Sequence, residues 1–248
     1  VVAYDNSRTA VTVNLFSGTA SDGFGGTDAL INIEGICGSV YNDVLTGGLA
    51  ANGISVSDGL SETFIGNAGN DTIDGGQGYD RVDYTTSPIG VNVTLNDTLD
   101  GSANDGFGGT DTLRHIEGVV GSAYNDTLTG SDSATFESFE GRAGNDQING
   151  KGGIDRIDYY SSTAGATVNL ATGTASDGYG GTDTLANIEN VRGSRDFNDS
   201  LTGSTANTAD ACQAGVAVHS PTAATPPEIV TVQPAGSVCS PSSTASRS

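Results

Sequence analysis

Four aspartates fall at the same place in four glycine-rich nonapeptides: Asp71 in "GNAGNDTID" (66–74), Asp80 in "GGQGYDRVD" (75–83), Asp146 in "GRAGNDQIN" (141–149) and Asp155 in "GKGGIDRID" (150–158). Each block spends glycines on a turn, ends the turn on an Asp, and sets a large apolar residue two positions later: Ile73, Val82, Ile148 or Ile157. Glycine accepts positive φ and leaves its carbonyl uncovered, while the Asp brings a hard, charged oxygen. Oxygen donors gathered at tight turns suit calcium, which takes about six to eight carboxylate and carbonyl oxygens in flexible geometry. Zinc would want His and Cys, and the chain holds two histidines and three scattered cysteines. The block at 75–83 fits G-G-x-G-x-D-x-U-x in full, U being a large apolar residue, and the other three fit with one substitution each. That is the pattern of calcium-binding β-helix repeats.

Weaker blocks hold a second rank of candidate ligands. "GFGGTDALI" (23–31), "GFGGTDTLR" (106–114) and "GYGGTDTLA" (178–186) place Asp28, Asp111 and Asp183 at the Asp position. "GSVYNDVLT" (38–46) and "GSAYNDTLT" (121–129) offer Asp43 and Asp126 with a Tyr where glycine is usual, and "GSRDFNDSLT", from 193, offers Asp199 with one extra residue. For these the alternative is a plain turn between strands, shaped by the Asp and Asn side chains alone.

The elements that must hold these turns follow from the chain's long repeats. Units beginning at Tyr4, Tyr84 and Tyr159 align with one another, and Asp71 to Asp146 and Asp80 to Asp155 are both separated by 75 residues. Each unit opens on a period-two stretch: Val11, Val13, Leu15; Val91, Val93, Leu95; Ala166, Val168, Leu170. Alternation of this kind predicts half-buried strands. Repetition on this scale predicts a solenoid in which each repeat buries its apolar face only against its neighbours. The expected fold is therefore all-β, with residues 1–203 as the solenoid, three units starting near 4, 84 and 159. Residues 204–248, with five of the six prolines in a Ser/Thr/Ala-rich run, read as a tail or linker.

Composition agrees. Hydrophobic residues make up 35% and aromatics 6%, too little bulk for a thick core, and 37 residues are glycine. The 30 acidic residues against 9 basic ones leave a net charge of -21, which argues against nucleic acid as a partner. No stretch reaches the roughly 20 apolar residues of a membrane span. The chain lacks methionine even at its start, so Val1 is expected to begin a processed chain or a piece of a longer one, with further repeats toward the N-terminus.

On these blocks the chain resembles the RTX, or haemolysin-type, calcium-binding repeats of secreted bacterial toxins, proteases, lipases, epimerases and adhesins, over most of residues 20–203. The resemblance implies a right-handed parallel β-roll with ions between successive turns on one edge. It implies the Asp71/Asp80 and Asp146/Asp155 pairs as the best ligands to Ca2+. With them it implies the carbonyls of Gly66, Gly69, Gly75, Gly78, Gly141, Gly144, Gly150 and Gly153. It also implies export in an unfolded state and folding outside the cell, at the cell surface or in the medium. The long inserts between blocks, such as 84–120, depart from that family and leave a second architecture open, two short rolls joined by irregular turns.

Other residues carry less. His115 aligns with Asn32 and Asn187 and reads as a turn or surface residue; His219 lies in the tail. Cys37 aligns with Val120 and Arg192, so a reactive thiol is not expected, while Cys212 and Cys239 could form a disulfide in an oxidising compartment. Glu34, Glu117 and Glu189 recur as calcium contacts or strand-end caps. The sequons at Asn70, Asn125 and Asn198 are ascribed to turn formation. Neither H-E-x-x-H nor G-x-S-x-G occurs, so the chain is expected not to be an enzyme. The expected function is a calcium-ordered structural region of an adhesin, filament or surface layer. The alternative is an accessory module of a secreted hydrolase or epimerase whose catalytic domain lies elsewhere. Open solenoid ends add a further expected partner, another copy stacked end to end as a homo-oligomer or filament.

Overall fold

A computed structural model describes residues 1–48, 61–97 and 99–204 in full and 211–213 as a strand. Alternation of one buried residue between two less buried ones sets most strands at three residues, so each of these crosses the core once and then turns. The chain runs β1 (Val2–Ala3), β2 (Thr12–Asn14), β3 (Thr19–Ser21), β4 (Thr27–Ala29), β5 (Gly35–Cys37), β6 (Val44–Thr46), β7 (Thr63–Ile65) and β8 (Thr72–Asp74). It continues through β9 (Arg81–Asp83), β10 (Asn92–Thr94), β11 (Gly101–Asn104), β12 (Thr110–Arg114), β13 (Gly118–Val120), β14 (Thr127–Thr129), β15 (Phe136–Glu140) and β16 (Gln147–Asn149). It closes with β17 (Ile154–Asp158), β18 (Thr167–Asn169), β19 (Thr174–Ser176), β20 (Thr182–Ala186), β21 (Asn190–Arg192), β22 (Ser200–Thr202) and β23 (Ala211–Gln213). Among the described residues there is no helix, and so none long and apolar enough to cross a membrane.

The strands form two sheets facing one thin core. The first has nine strands in the order β1-β5-β7-β9-β13-β15-β17-β21-β23, every neighbour parallel. The second has fourteen, running from β22 to β4, with parallel coils interrupted by three antiparallel meanders, β2-β3-β4, β10-β11-β12 and β18-β19-β20. Chain order along the first sheet is unbroken, so the chain coils as one β-solenoid across the long inserts. The inserts do not divide it into two rolls; they fold back as meanders and add strands to the second sheet. The period-two stretches became β2, β10 and β18, with Val13, Val93 and Val168 buried at their centres. Where the meanders narrow the core, the central residue shrinks to Ala20, Ala103 or Ala175, each buried.

The core is a double file of side chains. Ile36, Phe64, Val82, Val119, Phe139, Ile157 and Val191 project from the first sheet. Leu45, Ile73, Leu113, Leu128, Ile148, Leu185 and Leu201 come from the second. Registration is tight: Ile73 pairs with Leu45 and Leu113, and Ile148 with Leu128 and Leu185. A file this narrow buries few residues per turn, which leaves the turn edges to supply much of the remaining order. The stack also passes the expected boundary at 203, since β23 pairs with β21. Cys239, His219 and the prolines of the tail lie outside the described residues. Cys212 belongs to β23.

Candidate metal centre

Half a turn of the coil is one nonapeptide. The block ending at Asp71 leads into β8 of the second sheet, whereas the one ending at Asp80 leads into β9 of the first, so the two aspartates of a tandem pair occupy opposite edges. Asp146 and Asp155 are separated in the same way. What the fold brings together instead are aspartates from successive coils.

On the edge that enters the second sheet, Oδ1 of each aspartate accepts the backbone N–H at the start of the neighbouring coil. Asp43 accepts from Val11, Asp71 from Asp43 and Asp111 from Asp71, at 2.8–3.0 Å. A second column repeats this: Asp126 accepts from Val91, Asp146 from Asp126 and Asp183 from Asp146. Asp199 accepts from Ala166 beyond the third meander. A parallel ladder of asparagines runs beside it, Asn42 to Asn70 to Thr110 and Asn125 to Asn145 to Thr182. The weak blocks at 38–46, 106–114, 121–129 and 178–186 are therefore rungs of the same columns as the strong ones. Asp28, at the end of the second sheet, is exposed.

The opposite edge mixes carboxylate lengths. Asp80 Oδ1 accepts from Glu62 N and Glu117 Oε2 accepts from Asp80 N, at 2.9 and 2.8 Å. Asp155 and Glu189 repeat the arrangement with Glu137 N and Asp155 N, at 3.3 and 2.9 Å. Glu117 and Glu189 thus cap the backbone of the adjacent coil, while Glu34 is exposed. Glu62 and Glu137 join this edge although the nonapeptide pattern does not announce them; their signal is that each stands two residues before a core phenylalanine, Phe64 or Phe139, 75 residues apart.

The ladder satisfies Oδ1 everywhere, and the columns differ at Oδ2. Asp43 and Asp126 have their second oxygen bound by the N–H of Ser39 (2.5 Å) and Ser122 (2.7 Å). The serine hydroxyls donate to Oδ1 at 2.7 Å, as does Ser194 to Asp199. Asp111 and Asp183 receive the hydroxyls of buried Tyr84 and Tyr159 at 3.0 and 2.9 Å. At Asp71, Asp80, Asp146 and Asp155 the Oδ2 atom is buried and has no hydrogen-bond partner, although each residue is at most 1% exposed. Among the described residues no arginine, lysine or histidine pairs with them, whereas Asp158, also buried, sits between Arg156, at 2.9 Å, and Arg192. A buried, unpaired carboxylate oxygen is costly. Burial, reinforced by neighbouring acids, pushes the carboxyls of Asp71, Asp80 and Asp146 up to about 8 and that of Asp155 to about 7. Burial also raises Asp111 and Asp183, though only to about 6, with a ladder N–H and a tyrosine hydroxyl opposing it.

Glycines make room for these oxygens. A Cβ on Gly66, Gly141 or Gly150 would run into Oδ2 of Asp71, Asp146 or Asp155. At Gly75 both Asp80 Oδ2 and the carbonyl oxygen of His115 lie within 2.8 Å of the point a Cβ would take. Asn187 O and Asp155 Oδ2 crowd Gly150 in the same manner. His115, Asn187 and Asn32 all adopt positive φ, 48°, 51° and 55°, so the turn reading of His115 holds. Gly69, Gly78, Gly144 and Gly153 have φ between 119° and 145°, backbone that side chains avoid. Gly69 and Gly144 stack on the carbonyls of Tyr41 and Tyr124.

Among the described residues no three His, Cys, Asp or Glu side chains converge on one metal position. An ion here would take one or two carboxylate oxygens and fill its shell with backbone carbonyls and water. That donor set, all oxygen and rich in carbonyl, fits calcium. Compared with known proteins, the chain matches no protein-family model and no curated sequence.

Proposed function

We propose that the chain is a calcium-ordered structural repeat region of a secreted or cell-surface protein, wound as a right-handed RTX-type β-roll. In this reading Ca2+ neutralises the ladder aspartates and completes the fold. The observation that supports it best is a coincidence of two independent signals. The four aspartates that the nonapeptide pattern singles out, Asp71, Asp80, Asp146 and Asp155, are also those ladder aspartates whose second oxygen is buried without a partner. On that oxygen Asp43 and Asp126 have a serine N–H, and Asp111 and Asp183 a tyrosine hydroxyl. A net charge of -21 and glycine-rich turns oppose folding in the absence of a cation. Each site held at about a hundred times its dissociation constant would contribute roughly 2.7 kcal/mol. Extracellular calcium modules work at about 10⁻⁴–10⁻³ M, where the medium but not the cytosol supplies the ion.

The role of the ordered rod is mechanical or adhesive, with no catalytic step assigned to it. Its open sheet ends, among them the exposed three-residue strand β4, are where a second copy would add in an end-to-end filament. Circular dichroism of the whole chain with and without excess chelator tests the proposal. Calcium should restore strand signal and a cooperative melt that chelator removes. Equal β content in both conditions would overturn it.

A further inference from the structure

The meanders bring in an acidic residue that the nonapeptide pattern ignores. Asp105 and Asp177 precede the weak blocks by one position, in "NDGFGGTD" and "SDGYGGTD". Both are fully buried. Their Oδ1 atoms each gather three backbone N–H donors, from Phe107, Gly108 and Gly109 (2.8–3.0 Å) and from Tyr179, Gly180 and Gly181 (2.7–2.9 Å). Yet Oδ2 of each is buried with no partner.

The surroundings of that orphan are repeated. Asp105 Oδ2 and the carbonyl oxygen of Gly69, from the preceding coil, both lie within 2.7 Å of the point a Cβ on Gly109 would occupy. Asp177 Oδ2 and Gly144 O meet in the same way at Gly181. A buried carboxylate oxygen without a partner and a backbone carbonyl oxygen of the preceding coil thus flank the same glycine in both meanders. Asp71 and Asp146, themselves with an unpartnered Oδ2, lie close enough that Asp105 and Asp177 act on their charge. The loop backbone that aims these oxygens is pinned by Ser87 and Ser162, whose hydroxyls donate to the carbonyls of Asp105 (2.6 Å) and Asp177 (2.5 Å).

We infer that Asp105 with Gly69 O, and Asp177 with Gly144 O, form a second class of calcium site that ties each meander to the coil before it. The ion would take the unpartnered carboxylate oxygen and the carbonyl oxygen beside it, and water would fill the rest of its shell. The first meander supplies an internal contrast. Asp22 has the same Oδ1 contacts to Phe24 and Gly26, but the three atoms nearest the Gly26 point all belong to Asp22 itself. No carbonyl of another coil joins them, and no site is assigned there.

This inference shares with the proposed function the premise that calcium is the ion, and the test separates the two. Calcium bound per chain is measured by equilibrium dialysis for the whole protein, for Asp105→Asn with Asp177→Asn, and for Asp80→Asn with Asp155→Asn. The meander variant should lose one ion for each substitution while the nonapeptide variant keeps those ions. In excess chelator the meander variant should show more strand signal than the parent, because a neutral asparagine amide replaces a buried carboxylate oxygen that has no partner. An unchanged calcium count in the meander variant, or weaker strand signal in chelator, would overturn the inference and leave the nonapeptide sites standing. A parent chain that binds no calcium would overturn both.

Discussion

Asp43 and Asp71 stand on neighbouring rungs of one ladder, each accepting a backbone N–H through Oδ1 and each buried to 1%. They differ in the residue after the first glycine of the block. At Asp43 this is Ser39, whose N–H and hydroxyl bind both carboxylate oxygens. At Asp71 it is Asn67, held at φ 66°, whose amide turns away to the carbonyl of Gly38 at 2.9 Å. The two rungs thus treat the same buried carboxylate differently: internal donors bind both oxygens of Asp43, while Oδ2 of Asp71 has no hydrogen-bond partner. Asp126 against Asp146 repeats the contrast, with Arg142 in place of Asn67. On the proposed reading, a rung closed by serine needs no ion, and a rung whose Oδ2 is bare gains from one.

The comparison breaks most sharply under substitution of whole rungs. Replacing Asp80 and Asp155 by alanine should weaken calcium binding by at least tenfold per site, about 1.4 kcal/mol, and flatten its cooperativity. Asp43→Ala with Asp126→Ala should leave calcium affinity within about twofold while lowering stability with and without the ion, by roughly 1–3 kcal/mol each for the donors left bare. Calorimetric titration and melting curves of both variants decide it, and similar calcium losses in the two would erase the distinction.

Acidity should separate the two states of the protein next. Asp71, Asp80 and Asp146 carry protons up to about pH 8 in the fold, and Asp155 to about 7, against an ordinary value near 3.8. The folded chain then binds more protons than the unfolded one, so without calcium its stability is fully present below about pH 4 and is lost as pH rises toward 8. Calcium needs the carboxylates ionised, so its contribution runs the other way and fades as pH falls below about 7. Melting temperature in chelator should therefore drop between pH 5 and 8, while the increment from calcium grows. Parallel curves would show that the bare carboxylates are not the sites.

The smallest effect sharpens the comparison from the serine side. Ser39→Ala keeps the backbone N–H on Asp43 but removes the hydroxyl, which should cost about 1 kcal/mol in chelator. Part of that loss should return with calcium, since the rung now resembles that of Asp71. Thermal melts of the variant in both conditions measure it.

Much of this was legible in the residues. The period-two stretches around Val13, Val93 and Val168 and the nonapeptide core residues Ile73, Val82, Ile148 and Ile157 are all buried at strand centres. Patterning decides which side of a three-residue strand faces in, and that information is local. The columns were not legible, because Asp71 meets Asp43 and Asp111 only after coils of unequal length have stacked, and the tandem partner Asp80 faces the other edge. Nor was the burial of Asp105 and Asp177, which takes a meander to bring them beside the coil that carries Gly69 and Gly144.

The sequence by itself determined an all-β repeat chain, its acidic turns and the four aspartates most suited to an ion, since these rest on spacing and residue type. The tertiary structure alone decided which carboxylates stand together, which find a serine or tyrosine donor, and which are buried without one. Burial and hydrogen-bond satisfaction are properties of neighbours several tens of residues apart, and only the stacking of coils chooses those neighbours.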